Sequence, residues 1–112
     1  MQADAHRAHR KDETETQFLR RCAGRWLKQK REERNLSQRQ IAELLGIEYY
    51  TFISQLETGR GRIPAERYVD WANALDMPPR DFVYVLMRFY DPITFALLFP
   101  GAEDDGLVES LA

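Results

Sequence analysis

The sequence predicts an all-α protein, and three observations carry that prediction. Apolar residues from Phe18 to Phe99 recur at i, i+3, i+4 and i+7, and no stretch alternates in the way a half-buried strand does. Serine, glycine and proline fall at the ends of these periodic runs, where helices start and stop. At 112 residues the chain has the size of one domain, so several short helices must share one core.

The elements follow in order. Residues 1–16 are charged, lack apolar periodicity and are expected to form a disordered tail. The rows Leu19, Ala23, Leu27 and Phe18, Cys22, Trp26 predict a first helix reaching about Arg34, with Asn35 as its stop. Ser37 opens a second helix. Its hydroxyl can accept from a free N–H of the first turn while Gln40 reaches back. Ile41, Leu44 and Leu45 are its expected buried face and Gly46 its end. A helix of about nine residues is stable only when docked on others.

In the stretch "EYYTFISQLETG" (residues 48–59), Tyr49, Phe52, Ile53 and Leu56 make one apolar face of a third helix. Tyr50, Thr51, Ser54, Gln55 and Thr58 fall on the other. That outer face carries hydroxyls and amides but no charge, an unusual choice for a helix that only meets water. Gly59 closes it. Pro64 and Ala65 open a fourth helix with Tyr68, Val69, Trp71, Ala72 and Leu75 as apolar positions. A fifth covers residues 80–90. Asp91 and Pro92 restart a sixth, which runs to Pro100 and Gly101. Residues 101–112 are acidic and expected to be flexible.

Net charge is −2, but it is unevenly spread. Residues 20–67 hold eleven Lys/Arg against six Asp/Glu, and residues 68–112 hold two against eight. A basic half joined to an acidic one suggests a nucleic-acid surface on the first. The single cysteine, Cys22, excludes an intramolecular disulfide. No apolar run could cross a membrane or serve as a signal peptide, so a cytoplasmic protein is expected. His6 and His9 stand without further ligands, and no acid–base pair or nucleophile is visible. Neither a metal, a cofactor nor an enzyme activity is expected.

Two short helices separated by a turn at Gly46, the second polar on its outward side, form a helix-turn-helix arrangement, whose second helix enters the DNA major groove. "LSQRQIAELLGI", then "TFISQLETGRGRIP" and "YVDWANALDM", resemble the Cro/lambda-repressor-like (XRE-type) helix-turn-helix regulators over about residues 25–78. The resemblance implies a lambda-repressor-like bundle of about five helices, with the helix-turn-helix DNA-binding domain over residues 17–78; the additional apolar helices over residues 79–100 are expected to serve dimerisation. It also implies that Gln38 touches the DNA backbone and braces the third helix. Tyr50, Thr51, Ser54 and Gln55 would meet base edges and phosphates, Arg60 and Arg62 would follow the backbone, and Arg31 and Glu57 would form a structural ion pair. "IEYY" between Gly46 and Thr51 is one residue longer than the usual spacing, so the first coil of the third helix must differ.

Independently of that family, Arg39, Arg60, Arg62 and Lys28 offer cations for phosphates, and Thr51, Ser54, Gln55 and Tyr50 offer groups that can read bases. No outward arginine on the third helix is placed to read guanine, so A·T contacts and DNA shape are expected to dominate. Residues 82–99 are apolar on more than one face. A homodimer through them is expected, facing successive major grooves, and truncation at Met77 is expected to leave a monomer. The expected function is therefore repression at an inverted-repeat operator on double-stranded DNA. RNA polymerase or another regulator is an open further partner. An antitoxin or restriction-modification controller would use the same fold, and a protein-interaction module is the alternative from another class.

Overall fold

Helix α1 spans Glu15–Glu33 and starts on a capping box. The Thr14 hydroxyl accepts from the Gln17 N–H at 3.1 Å, and the Gln17 side chain accepts from the Thr14 N–H at 2.9 Å. In this computed structural model the described residues are 13–112, and the side chain of Glu103 is not among those described. The expected tail therefore ends earlier than residue 16, because two orphan donors of the first turn are satisfied by Thr14 and Gln17. Residues 1–12, with His6 and His9, lie outside the described residues. At its other end α1 stops where Asn35 takes a left-handed φ of 57°.

Helix α2, Gln38–Leu45, repeats the device: Ser37 accepts from the Gln40 N–H at 3.0 Å, and Gln40 accepts from the Ser37 N–H at 2.8 Å. Gly46 closes it in the left-handed region (φ 68°). Helix α3 is Thr51–Glu57, seven residues long. A 3₁₀ turn at Ala65–Arg67 leads into α4, Tyr68–Ala74, and then α5 covers Pro79–Tyr90. Asp91 caps α6, Pro92–Leu98, as its sequence implied. A second 3₁₀ turn, Ala102–Asp105, precedes α7, Leu107–Leu111. All regular elements among the described residues are helical.

α1 is the central helix, with α3, α5 and α7 packed against it. α2 lies on α3 and α4, α4 also packs on α5, and α6 sits on α5. The core is built from Phe18, Leu27, Ile41, Ile53, Leu56, Ile63, Phe82, Leu86 and Leu111, all buried. Burying each such side chain contributes about 1.5–3 kcal/mol. That packing stabilises α2 and α3, which are too short to persist alone.

Four expectations about packing are overturned. Leu44 is 60% exposed, because an eight-residue helix buries only the stripe through Ile41, Ala42 and Leu45. Val69 on α4 is exposed, the inward positions being Trp71, Ala72 and Ala74. The acidic C-terminal segment is ordered: Leu111 is buried on α1, and Arg88 donates to Asp105 at 2.6 Å. The hydrogen bond from Arg88 holds the Asp105 carboxyl below its ordinary pKa. Finally, α5 spends its apolar faces inside its own chain, through Phe82, Leu86 and Phe89 against α1 and α4. Truncation at Met77 would strip the core and would not yield a folded monomer.

Among the described residues, one side of α6 remains uncovered. Ile93 and Leu97 are 75% and 76% exposed, and Leu98 is also exposed. Phe95 turns the opposite way, forming with Tyr84 and Phe99 an aromatic trio with centroids 5.0–5.3 Å apart.

Candidate nucleic-acid interface

The α2–α3 pair is held by one buried ion pair. Arg31 on α1 donates from Nε to Glu57 Oε2 at 2.7 Å and from Nη2 to Oε1 at 2.9 Å. The Glu57 hydrogen bonds raise the Arg31 pKa above its ordinary value, so the guanidinium stays charged. Its Nη1 also donates to the Leu36 carbonyl at 2.8 Å, which fixes the α1–α2 turn. Gln38 at the start of α2 donates to Glu57 Oε1 at 3.0 Å. Helices α1, α2 and α3 thus meet at a single carboxylate, and α3 cannot rotate without breaking all three contacts.

On the outside of α3, Thr51 and Gln55 are exposed and Ser54 is half-buried. Their side chains offer directional donors and acceptors and carry no charge. Tyr50, at the helix entry, lies under the Arg39 guanidinium, 4.3 Å from its centroid. The stack joins the first turn of α2 to the first turn of α3 and holds a planar cation at the entry of the polar face. At the far end Arg60 is exposed.

Arg62 is exposed too, but it is tethered. Its guanidinium lies 4.5 Å from the Tyr90 ring centroid and donates to the Tyr90 carbonyl at 3.4 Å. The Tyr90 hydroxyl accepts from the Ile63 N–H at 3.1 Å, and burial pushes the phenol pKa up, keeping it neutral. Tyr90 therefore anchors the loop that carries Arg60 and Arg62. The sequence places Tyr90 at the end of the fifth helix, and nothing in its spacing links it to a loop 27 residues away.

The structure brings Gln38, Arg39, Tyr50, Thr51, Ser54, Gln55 and Arg60 around one helix, with Arg62 beside them on the loop. It does not place Tyr49 in the core. Tyr49 is 69% exposed because α3 begins at Thr51, so the helical period that aligned Tyr49 with Ile53 and Leu56 does not reach it. Phe52 is at the edge, 36% exposed, leaving Ile53 and Leu56 to hold the helix. Glu48 is exposed, and no side chain caps the start of α3. The extra residue in the turn is absorbed before the helix, where Phe52 and Ile53 N–H groups bond to the Tyr49 and Tyr50 carbonyls.

A short second helix with hydroxyls and amides on its outer side, fixed from behind and flanked by cations, is the arrangement of a helix-turn-helix protein. The helix-turn-helix family profile matches residues 27–82, half of the chain, and the chain belongs to that lambda-repressor-like, DNA-binding regulatory family. No curated protein shows detectable similarity to it. Among the described residues no group of His, Cys, Asp and Glu could hold a metal ion, and no helix is long and apolar enough to cross a membrane.

Proposed function

We propose that the chain is a sequence-specific, double-stranded-DNA-binding transcriptional regulator that represses by occupying an inverted-repeat operator as a homodimer. The observation that carries this reading is the outer side of α3. Thr51, Ser54 and Gln55 form an uncharged hydrogen-bonding surface with Arg39 at one end and Arg60 at the other. Base edges demand the first feature and the phosphates bordering a groove the second. Gln38, Arg39, Arg60 and Arg62 serve the backbone in this reading. Tyr50 acts as the platform beneath Arg39.

The test is selection from a pool of random duplexes at about 0.15 M salt. An enriched inverted repeat, with half-sites about one helical turn apart, is the expected outcome. Ser54→Ala and Gln55→Ala should each weaken binding to the enriched sequence by about 1–3 kcal/mol, with little change in melting temperature. Wild-type affinity in both variants would assign reading to another face. A folded protein that enriches no duplex would favour a protein-interaction module.

For the dimer, the seam is narrower than residues 82–99. The exposed α6 residues Ile93, Leu97 and Leu98, the last bordering the half-buried Val83, Tyr84 and Met87, support a self-complementary apolar contact between two copies. Leu97→Asp should convert the dimer to a folded monomer, read by analytical ultracentrifugation alongside circular dichroism. A wild-type chain that sediments as a monomer at concentrations near 100 times the operator Kd would remove the dimer.

A further inference from the structure

Arg88 on α5 is only 6% exposed, and its guanidinium lies over the rings of Tyr84 and Phe95, 5.5 and 5.0 Å from their centroids. Its Nη1 donates to Asp105, and that hydrogen bond, with a smaller contribution from Tyr84, raises the Arg88 pKa and keeps it charged. Among the described residues, Arg88 Nε is the one buried side-chain nitrogen or oxygen without a hydrogen-bond partner. A donor taken out of water and given no acceptor carries a desolvation penalty that nothing returns. Arg88 also borders a hollow of about 190 Å³. Leu19 of α1, Phe95 and Ala96 of α6 and Val108 of α7 make its walls mainly apolar, and Glu15 brings a carboxylate to it.

We propose that this hollow binds a small neutral molecule about the size of a six-membered ring, whose carbonyl oxygen accepts from Arg88 Nε while its apolar body lies against Leu19, Phe95 and Val108. No residue of α2 or α3 lines the hollow, so the site stands apart from the DNA-binding reading.

Size, charge and hydrogen bonding each narrow the occupant. An apolar cavity of about 150 Å³ accommodates benzene, so a hollow of about 190 Å³ has room for one ring and a polar atom. The Arg88 charge is already matched by Asp105. A second anion would meet Asp105 and Glu15 with no cation of its own, and a cation would meet Arg88, so a neutral molecule fits best. What Arg88 still lacks is an acceptor. Asp105 takes Nη1, and a single carbonyl oxygen would take Nε and orient the molecule against the apolar walls. Nε is sealed from solvent as the side chain lies, so the oxygen engages it as Arg88 turns slightly toward the hollow. Asp105, about half exposed, can follow that turn.

The experiment titrates the full chain with cyclohexanone, cyclohexanecarboxylate and cyclohexylammonium, which share a ring and differ in charge, at neutral pH and fixed ionic strength. Proton–nitrogen correlation spectra follow the Arg88 Nε–H, assigned by its loss in Arg88→Met, together with the Val108 amide. Cyclohexanone should shift both signals saturably with a Kd of about 1 mM, the scale for a ligand of seven non-hydrogen atoms. The two ions should bind more weakly by roughly tenfold or more. Ala96→Phe and Val108→Phe fill the hollow from α6 and from α7, and each should raise the cyclohexanone Kd by roughly tenfold or more. Ala96 is exposed, so its substitution leaves the core intact, and Val108→Phe repeats the test from the other wall. Shifts that rise without saturating, or that persist unchanged in both filled variants, would overturn the proposal. So would a saturable Val108 shift with an unmoved Arg88 Nε–H, since the acceptor would then play no part. Tighter binding of cyclohexanecarboxylate than of cyclohexanone would make this an anion site and overturn it as well.

Discussion

Glu57→Ala is expected to destabilise the protein by about 3–5 kcal/mol, the cost of stripping one partner from a buried ion pair. Both side chains are nearly inaccessible, at 9% for Arg31 and 5% for Glu57. Alanine would leave the Arg31 cation buried with only the Leu36 carbonyl to accept from it, and the Gln38 amide without its partner. A domain of this size has about 5–15 kcal/mol in total, so a melting temperature lower by roughly 12–20 °C is expected by circular dichroism. The paired variant Arg31→Met with Glu57→Leu should lose less than Glu57→Ala alone. It removes both charges and leaves no buried ion unmatched. A shift of less than about 1 kcal/mol in Glu57→Ala would mean that water reaches Arg31 and that the pair does not hold α3.

That pair was legible in the sequence only through the resemblance, since 26 residues separate its members and no local pattern joins them. The Ser37 and Gln40 capping box was legible directly, because a hydroxyl residue followed three positions later by an amide is a local signal. Thr14 and Gln17 carry the same signal, but they follow a charged stretch whose composition argued for disorder more strongly. The C-terminal segment was misjudged for a related reason. Leu107 and Leu111 stand one turn apart, yet the acidic residues around them outweighed two leucines in any compositional reading.

Packing partners were the least legible part. The apolar faces of α5 and α6 could be counted from sequence, but which neighbour covers each one depends on where α1 passes. α1 and α4 cover Phe82, Leu86 and Phe89, while Ile93 and Leu97 stay exposed among the described residues. At the candidate site, the residue types on the outer side of α3 could be read from the 3.6-residue period. The entry to the helix could not. Periodicity assigned Tyr49 inward because it assumed a helix already formed at residue 49, whereas the longer turn delays the first helical residue to Thr51.

Gly24→Ala sets two known effects against each other, and their magnitudes decide the outcome. Alanine in a helix interior is favoured over glycine by about 1 kcal/mol, so propensity alone predicts a more stable protein. The new methyl group would lie 2.3 Å from the Glu57 carbonyl oxygen, 2.6 Å from its carbon and 2.7 Å from the Leu56 oxygen. All three atoms are backbone, so no rotamer change relieves the contact. α1 and α3 must separate by about 1 Å to restore van der Waals distance, which loosens Cys22, Ala23 and Leu27 against Ile53 and Leu56 and stretches the Arg31–Glu57 bonds. Overpacking of this kind costs about 1–3 kcal/mol in a side-chain environment and more against backbone. A net loss of about 3 kcal/mol is therefore expected, measured as a lower urea midpoint at unchanged m. The same displacement moves the outer side of α3 relative to Arg39 on α2, so affinity for the enriched duplex should fall even at temperatures where the variant is fully folded. A higher urea midpoint with unaltered affinity would mean that the two helices have slack at their crossing, and that Gly24 sets neither the position of α3 nor that of the cations beside it.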